Sequence, residues 1–182
     1  LALDGSPVIS ELWTDAPDFN APSISPTGFD AGFSYCSQLN FDFFPADATL
    51  ENCEDLISVT ADMEHSYLGD LEINVTCPNG QSVLLQEQAG GGIYLGEPVD
   101  FEDDLTEGNC YQYGWSETST LGQIEDGANA SSVTYVDALG NNVTANIANP
   151  GIYQLDAGNT LCDLVGCPLN GTWEFCFTDL LG

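Results

Sequence analysis

Lysine and arginine are absent from this 182-residue chain, and histidine occurs once, at His65, against 29 Asp and Glu residues. Soluble proteins average about 25% charged residues, with basic side chains well represented. The formal charge of −29 therefore has almost nothing to balance it. Several function classes fall with the missing cations. A nucleic-acid backbone is held by Lys and Arg that neutralise its phosphates, and an anionic bilayer surface is met in the same way. Neither partner suits this chain. The lysine of a P-loop and the amine of a Schiff base are missing too. Side-chain ion pairs reduce to what His65 and the amino terminus can make. Stability must then rest on apolar burial, hydrogen bonds, disulfides or bound cations.

Other shortages narrow the field further. No apolar run approaches the roughly 20 residues of a membrane span, and no stretch of ten residues keeps a 3.6-residue period. There is no GxSxG elbow, no HExxH and no cysteine in a catalytic context, so His65 is read as structural. The start of the chain has no basic segment followed by an apolar one, and is read as the start of a mature, secreted polypeptide. Trypsin-like enzymes find no site anywhere in it.

Apolar residues make up 43% of the chain, enough for a core. Seven cysteines, Cys36, Cys53, Cys77, Cys110, Cys162, Cys167 and Cys176, point to an oxidising, extracellular compartment. Their spacing fits no zinc site. The odd count leaves one over after three bridges, and 105 pairings remain open. Residues 1–38 form an extended arm rich in Pro, Ser and Asp, with one apolar patch at Val8, Ile9, Leu12 and Trp13. Residues 39–182 read differently. Ile57, Val59, Ala61 and Met63 alternate with polar residues, as do Leu71, Ile73 and Val75, which is strand patterning. The Pro78-Asn79-Gly80 turn makes residues 70–86 a hairpin. Further strands are expected near 133–136, 145–147, 152–155 and 173–178. Many short strands at intervals of about ten residues indicate an all-β jelly-roll sandwich.

The acidic segment after Gly90-Gly91-Gly92 is the sharpest local feature. Glu97, Asp100, Glu102, Asp103, Asp104 and Glu107 have no basic partner. Such carboxylates repel one another unless a hard cation sits among them, and Ca²⁺ takes six to eight oxygens. A calcium site is expected there, with Asp70 contributing; the competing reading is a solvated acidic loop. Tyr111, Tyr113 and Trp115 alternate after it, and could stack on sugars or face the core. Trp173, Phe175 and Phe177 are assigned to the core. Sequons occur at Asn74, Asn129, Asn142 and Asn170, each a glycosylation candidate.

The run Glu64-His65-Ser66-Tyr67-Leu68-Gly69-Asp70-Leu71-Glu72-Ile73, followed by Cys77-Pro78-Asn79-Gly80, resembles the P domain (Homo B domain) of proprotein convertases. It looks most like the versions in secreted bacterial surface proteins. Gly90 to Pro98, Tyr113-Gly114-Trp115 and Leu164 to Asp179 extend the resemblance over about residues 40–182. It implies a jelly-roll sandwich in which the strand bearing His65 and Asp70 is structural. In convertases the domain stabilises an adjoining protease, which has no counterpart here; the bacterial relatives are non-catalytic modules.

The resemblance also implies a closing strand beyond Gly182. The segment Asp4–Asp15 loosely resembles that strand, so Val8, Ile9, Leu12 and Trp13 become candidate strand donors, in the same chain or in a neighbouring subunit. The functional reading is a non-enzymatic extracellular module of a surface assembly, partnered by other protein subunits in a homo-oligomer or filament. The rivals are a calcium-dependent carbohydrate-binding module and a hydrolase using two carboxylates.

Overall fold

Period-two patterning becomes strand where one face of a segment can be buried and the other wetted. The computed structural model describes residues 33–99 and 108–180, and ten strands occur among them. They are β1 (Phe33–Phe41), β2 (Val59–Met63), β3 (Leu71–Thr76), β4 (Ser82–Gln86), β5 (Ile93–Tyr94), β6 (Tyr111–Trp115), β7 (Ala130–Val136), β8 (Asn142–Ala148), β9 (Gly151–Tyr153) and β10 (Gly171–Asp179). Four short 3-10 turns connect them, and no α-helix occurs among the described residues. The fold is the all-β sandwich expected.

Three sheets result. The largest has the order β1-β10-β3-β4; the others are β2-β6-β9 and β5-β8-β7. β1, β10, β3 and β4 pair antiparallel, whereas β6 with β9 and β5 with β8 pair parallel. The β3–β4 hairpin turns where Pro78-Asn79-Gly80 places it. Gly80 adopts φ 89°, a conformation glycine reaches without a Cβ penalty, and its N–H donates to the Cys77 carbonyl at 2.8 Å.

The four-stranded sheet and the β2-β6-β9 sheet bury a shared core. Leu71, Ile73 and Val75 of β3 and Trp173, Phe175 and Phe177 of β10 meet Val59, Ala61 and Met63 of β2 and Tyr113 and Trp115 of β6. Trp115 and Phe175 make an edge-to-face contact between the sheets, with ring centroids 6.2 Å apart. Burying side chains of this size contributes about 1.5–3 kcal/mol each. A smaller cluster of Tyr94, Tyr135 and Ile147 lies in the third sheet. Ile57, expected to begin the β2 alternation, is instead exposed (48%) ahead of that strand.

Two strands depart from the sequence pattern. β1 already begins at Phe33, inside the segment assigned to the arm, and pairs over its whole length with β10. Cys36 and Cys176 face each other in that register and are bonded. In β4, the register with β3 shifts between Ile73 and Asn74, so that Ile73 opposes Gln86 while Asn74 opposes Leu84. Such a bulge re-aims the side chains beside it, and Leu85 and Gln86 are consecutively buried. Cys53–Cys162 and Cys77–Cys167 complete the disulfides, leaving Cys110 outside them.

Candidate functional site

His65 sits where β2 gives way to the 3-10 turn Leu68–Asp70. Its backbone pairs with Leu95 in both directions at 2.9 Å, and the residue is 5% exposed. The Tyr67 N–H donates to Nδ1 at 3.2 Å, and Nε2 lies 3.5 Å from an Asp179 carboxylate oxygen. Nδ1 also lies 3.1 Å from the Tyr67 carbonyl oxygen, so the tautomer sets which ring nitrogen donates. Asp70 completes the group: burial, then the nearby Asp179, hold its carboxyl above the usual range, while His65 pulls it down. Asp179 ends β10 and Asp70 precedes β3, both in the large sheet, whereas His65 follows β2.

Of the calcium candidates, Asp100, Glu102, Asp103 and Asp104 lie outside the described residues, as does Glu107. Glu97 is described and is held at the base of that segment. Its carboxylate accepts from the Tyr111 hydroxyl at 2.7 Å and from the Asn109 amide at 3.1 Å, and its backbone pairs with Asn109 in both directions. Glu64, fully buried, accepts from the Gly108 N–H at 3.4 Å. The hydrogen bond to Glu97, then burial, pushes the Tyr111 phenol up to about 12. Asp70 stands with His65 rather than with Glu97.

Two of the three alternating aromatics, Tyr113 and Trp115, are corrected as sugar contacts. Tyr113 and Trp115 are wholly buried, because β6 is the middle strand of its sheet and turns these residues onto the core. The Tyr113 hydroxyl donates to the Ala148 carbonyl at 2.9 Å and accepts the Gly96 N–H at 2.8 Å. Only Tyr111 retains partial exposure. Trp173, Phe175 and Phe177 are core, as expected. A shallow open groove of about 380 Å³ runs past Ser116, Ser119, Leu121 and Ile152, and its lining has hydroxyls and aliphatics but no carboxylate.

The sequons differ in what their amides already do. Asn129 donates to the carbonyls of Leu121 and Gln123, both at 2.8 Å. Asn170 donates to those of Phe44 and Pro45. A glycan replaces one amide hydrogen, so on either nitrogen it would cost one of those bonds. Asn74 lies half-buried in mid-strand β3, and Asn142 is exposed at the start of β8. Val8, Ile9, Leu12 and Trp13 lie outside the described residues.

Two groupings carry no sequence signal. Cys53, Cys162 and Glu117 bring ligand atoms within 4.8 Å of one another. The two sulfurs are spent on a disulfide, and Glu117 accepts from the Thr160 hydroxyl and the Leu161 N–H, closing a 3-10 turn. That is a brace, not a metal site. The second is a carboxyl pair, Glu125 and Asp156. Burial first, with Glu125 and Glu87 adding repulsion, pushes Asp156 up to about 7. Nothing in the primary structure links the two residues, which come from separate loops.

The architecture defines a disulfide-braced β-sandwich module. Residues 55–128, running from the turn before β2 past β6 and the His65 segment, match the family model of the proprotein convertase P-domain. Over that stretch the chain is similar to a P-domain. No curated protein and no solved structure matches the chain.

Proposed function

We propose that this chain is a non-catalytic extracellular module that assembles with other copies of itself by strand addition. The P-domain match supports the non-catalytic half, since that domain accompanies a protease rather than acting as one. Three disulfides support an oxidising, extracellular setting. No helix among the described residues is long and apolar enough to cross a membrane.

One observation carries the assembly half. β1 forms an edge of the four-stranded sheet, with no strand on its far side among the described residues. Natural edge strands are blunted by charge, proline or bulges. β1, reading FSYCSQLNF over nine residues, has no charge and no proline, in a chain rich in both Asp and Glu. A full-length unblunted edge is a template for another strand. Val8, Ile9, Leu12 and Trp13 of a neighbouring copy are the donors we assign. A head-to-tail contact of this kind does not close and builds a filament.

Light scattering on residues 1–182 and on a chain lacking residues 1–15 tests the reading. Polymer from the first and folded monomer from the second is the expected pair. Polymer that survives the deletion, or a parent that is strictly monomeric, removes the arm from the mechanism. Calcium at the Glu97–Glu107 segment belongs to the same reading, as reinforcement of the module. Asp103→Asn with Asp104→Asn should lower the calcium dependence of its melting temperature.

A further inference from the structure

Beyond that reading, the loop after β9 crosses the bulged end of β4, and a second carboxylate reaches the same place from the loop before β7. Asp156 is 2% exposed. Its backbone N–H donates to the Leu85 carbonyl at 3.4 Å, and its Oδ2 accepts the Glu87 N–H. Its other oxygen, Oδ1, is buried and has no partner. Glu125 stands within hydrogen-bond reach of Asp156. Glu125 Oε1 takes the Gln123 amide at 3.2 Å when that amide is oriented to satisfy both of its ends. Glu125 Oε2, like Asp156 Oδ1, is buried and unpartnered. A third orphan acceptor, Gln86 Oε1, is fully buried at the same strand end, where the bulge turns Gln86 inward.

Two carboxylate oxygens cannot hydrogen-bond each other when both are ionised, and a buried charge without compensation is costly. Other proteins would bring in Lys or Arg. This chain has none, and its one histidine is engaged by Asp179. Compensation must come from outside the polypeptide, as a proton shared by the pair or as a bound cation. The free atoms of the pair are both carboxylate oxygens. That donor class selects a hard cation, and Ca²⁺ accepts carboxylates and amide carbonyls in an irregular shell completed by water. Glu87, which also raises Asp156 electrostatically, adds further negative potential at the same place.

We propose that Glu125 and Asp156 are ligands of a divalent cation of the calcium class, bound at the bulged end of β4 and distinct from the Glu97–Glu107 segment. The ion would tie the loops after β6 and β9 to the edge of the large sheet.

Calorimetric titration of the chelator-stripped protein with CaCl₂ tests it, with near-UV circular dichroism reporting the fold. Asp156→Asn keeps an oxygen for the Glu87 N–H, and Glu125→Gln keeps the side-chain volume, so the two variants fail independently if one does not fold. The expected result is loss of one calcium equivalent in each, with that equivalent retained in the Asp103→Asn, Asp104→Asn double variant. A parent that takes up no calcium, or variants that take up as much as the parent, overturns the proposal. So does stability that is indifferent to calcium, falls as pH rises through 7 and is levelled by Asp156→Asn. That outcome assigns the pair to a shared proton.

Discussion

Tyr113→Phe removes one oxygen atom and should be among the more damaging conservative changes in the molecule. The phenol lies wholly buried on β6. Its hydroxyl donates to Ala148 at the end of β8 and accepts from Gly96 just beyond β5. It therefore pins the β2-β6-β9 sheet to the β5-β8-β7 sheet from the inside. Phenylalanine fills the same ring volume but leaves a buried carbonyl and a buried N–H without partners. Each orphaned group costs about 1–3 kcal/mol, and local relaxation recovers part of the sum, so about 2–4 kcal/mol is expected. For a domain of this size a loss of 1 kcal/mol lowers Tm by roughly 2–4 °C, which predicts a fall of about 5–15 °C. Urea unfolding followed by tryptophan fluorescence gives the free energy, and Tyr111→Phe is the internal control. Tyr111 loses only one hydrogen bond, at a partly exposed position, and should cost about 1 kcal/mol. A Tyr113→Phe loss below 1 kcal/mol, or no larger than that of the control, would refute the strut.

Three other perturbations have worked signs. Removing the Cys36–Cys176 bridge with paired serines, while the other two bridges remain, reopens a loop of roughly 30 residues through 36–53 and 162–176. The chain-entropy model puts that at about 3–4 kcal/mol, read as a lower urea midpoint, and an unchanged midpoint would show that β1 is held by pairing alone. Gly69→Ala would set a Cβ 2.6 Å from the Gly91 nitrogen, a backbone clash worth about 1–3 kcal/mol, whereas Gly92→Ala meets open space and serves as the comparison in thermal melts. Tyr111 is an acid whose pKa in the fold, about 12, lies above its ordinary 10.0. Its stabilising contribution is complete below pH 10 and lost between 10 and 12. A 295 nm absorbance titration, differenced against Tyr111→Phe, should place the phenol there, and Glu97→Gln should bring it back toward 10.

What could be read from the residues was whatever repeats locally. The β3–β4 hairpin is written in its alternation and in Pro78-Asn79-Gly80, and β10 in Trp173, Phe175 and Phe177. β1 is not, because Ser37 interrupts its apolar positions and only the register with β10 makes it a strand. The Leu85-Gln86 pair defeats alternation for a similar reason: an inward glutamine follows from a bulge that pairing creates. Tyr113 and Trp115 carried two readings until the position of β6 in its sheet chose the core. The disulfide pairing, one of 105 arrangements, is set by which loops meet. Glu125 and Asp156 are found only where two separate loops converge.

The handling of charge explains more of this fold than the total does. A chain without Lys or Arg must satisfy its ordered carboxylates some other way, and the described residues show how. Asp55 accepts the Asn52 N–H and amide at 3.1 Å each, Glu117 takes Leu161 N–H, and Asp137 takes the N–H groups of Leu139 and Asn141 in the β7–β8 turn. Each of these acids fixes a turn by gathering backbone donors that would otherwise need water or a helix. Backbone amides thus serve where other proteins use cationic side chains, and such charge-assisted bonds are about twice as strong as neutral ones. The device has a limit, because an amide donates a single proton while a carboxylate offers two oxygens. At the exposed Asp55 and Glu117 solvent meets the second oxygen, and at the buried Asp137 the Asn141 side-chain amide takes it. At Asp156, where burial excludes it, the Glu87 N–H leaves one oxygen over, and at Glu125 the Gln123 side-chain amide does the same, so that remainder is what the proposed cation would take up.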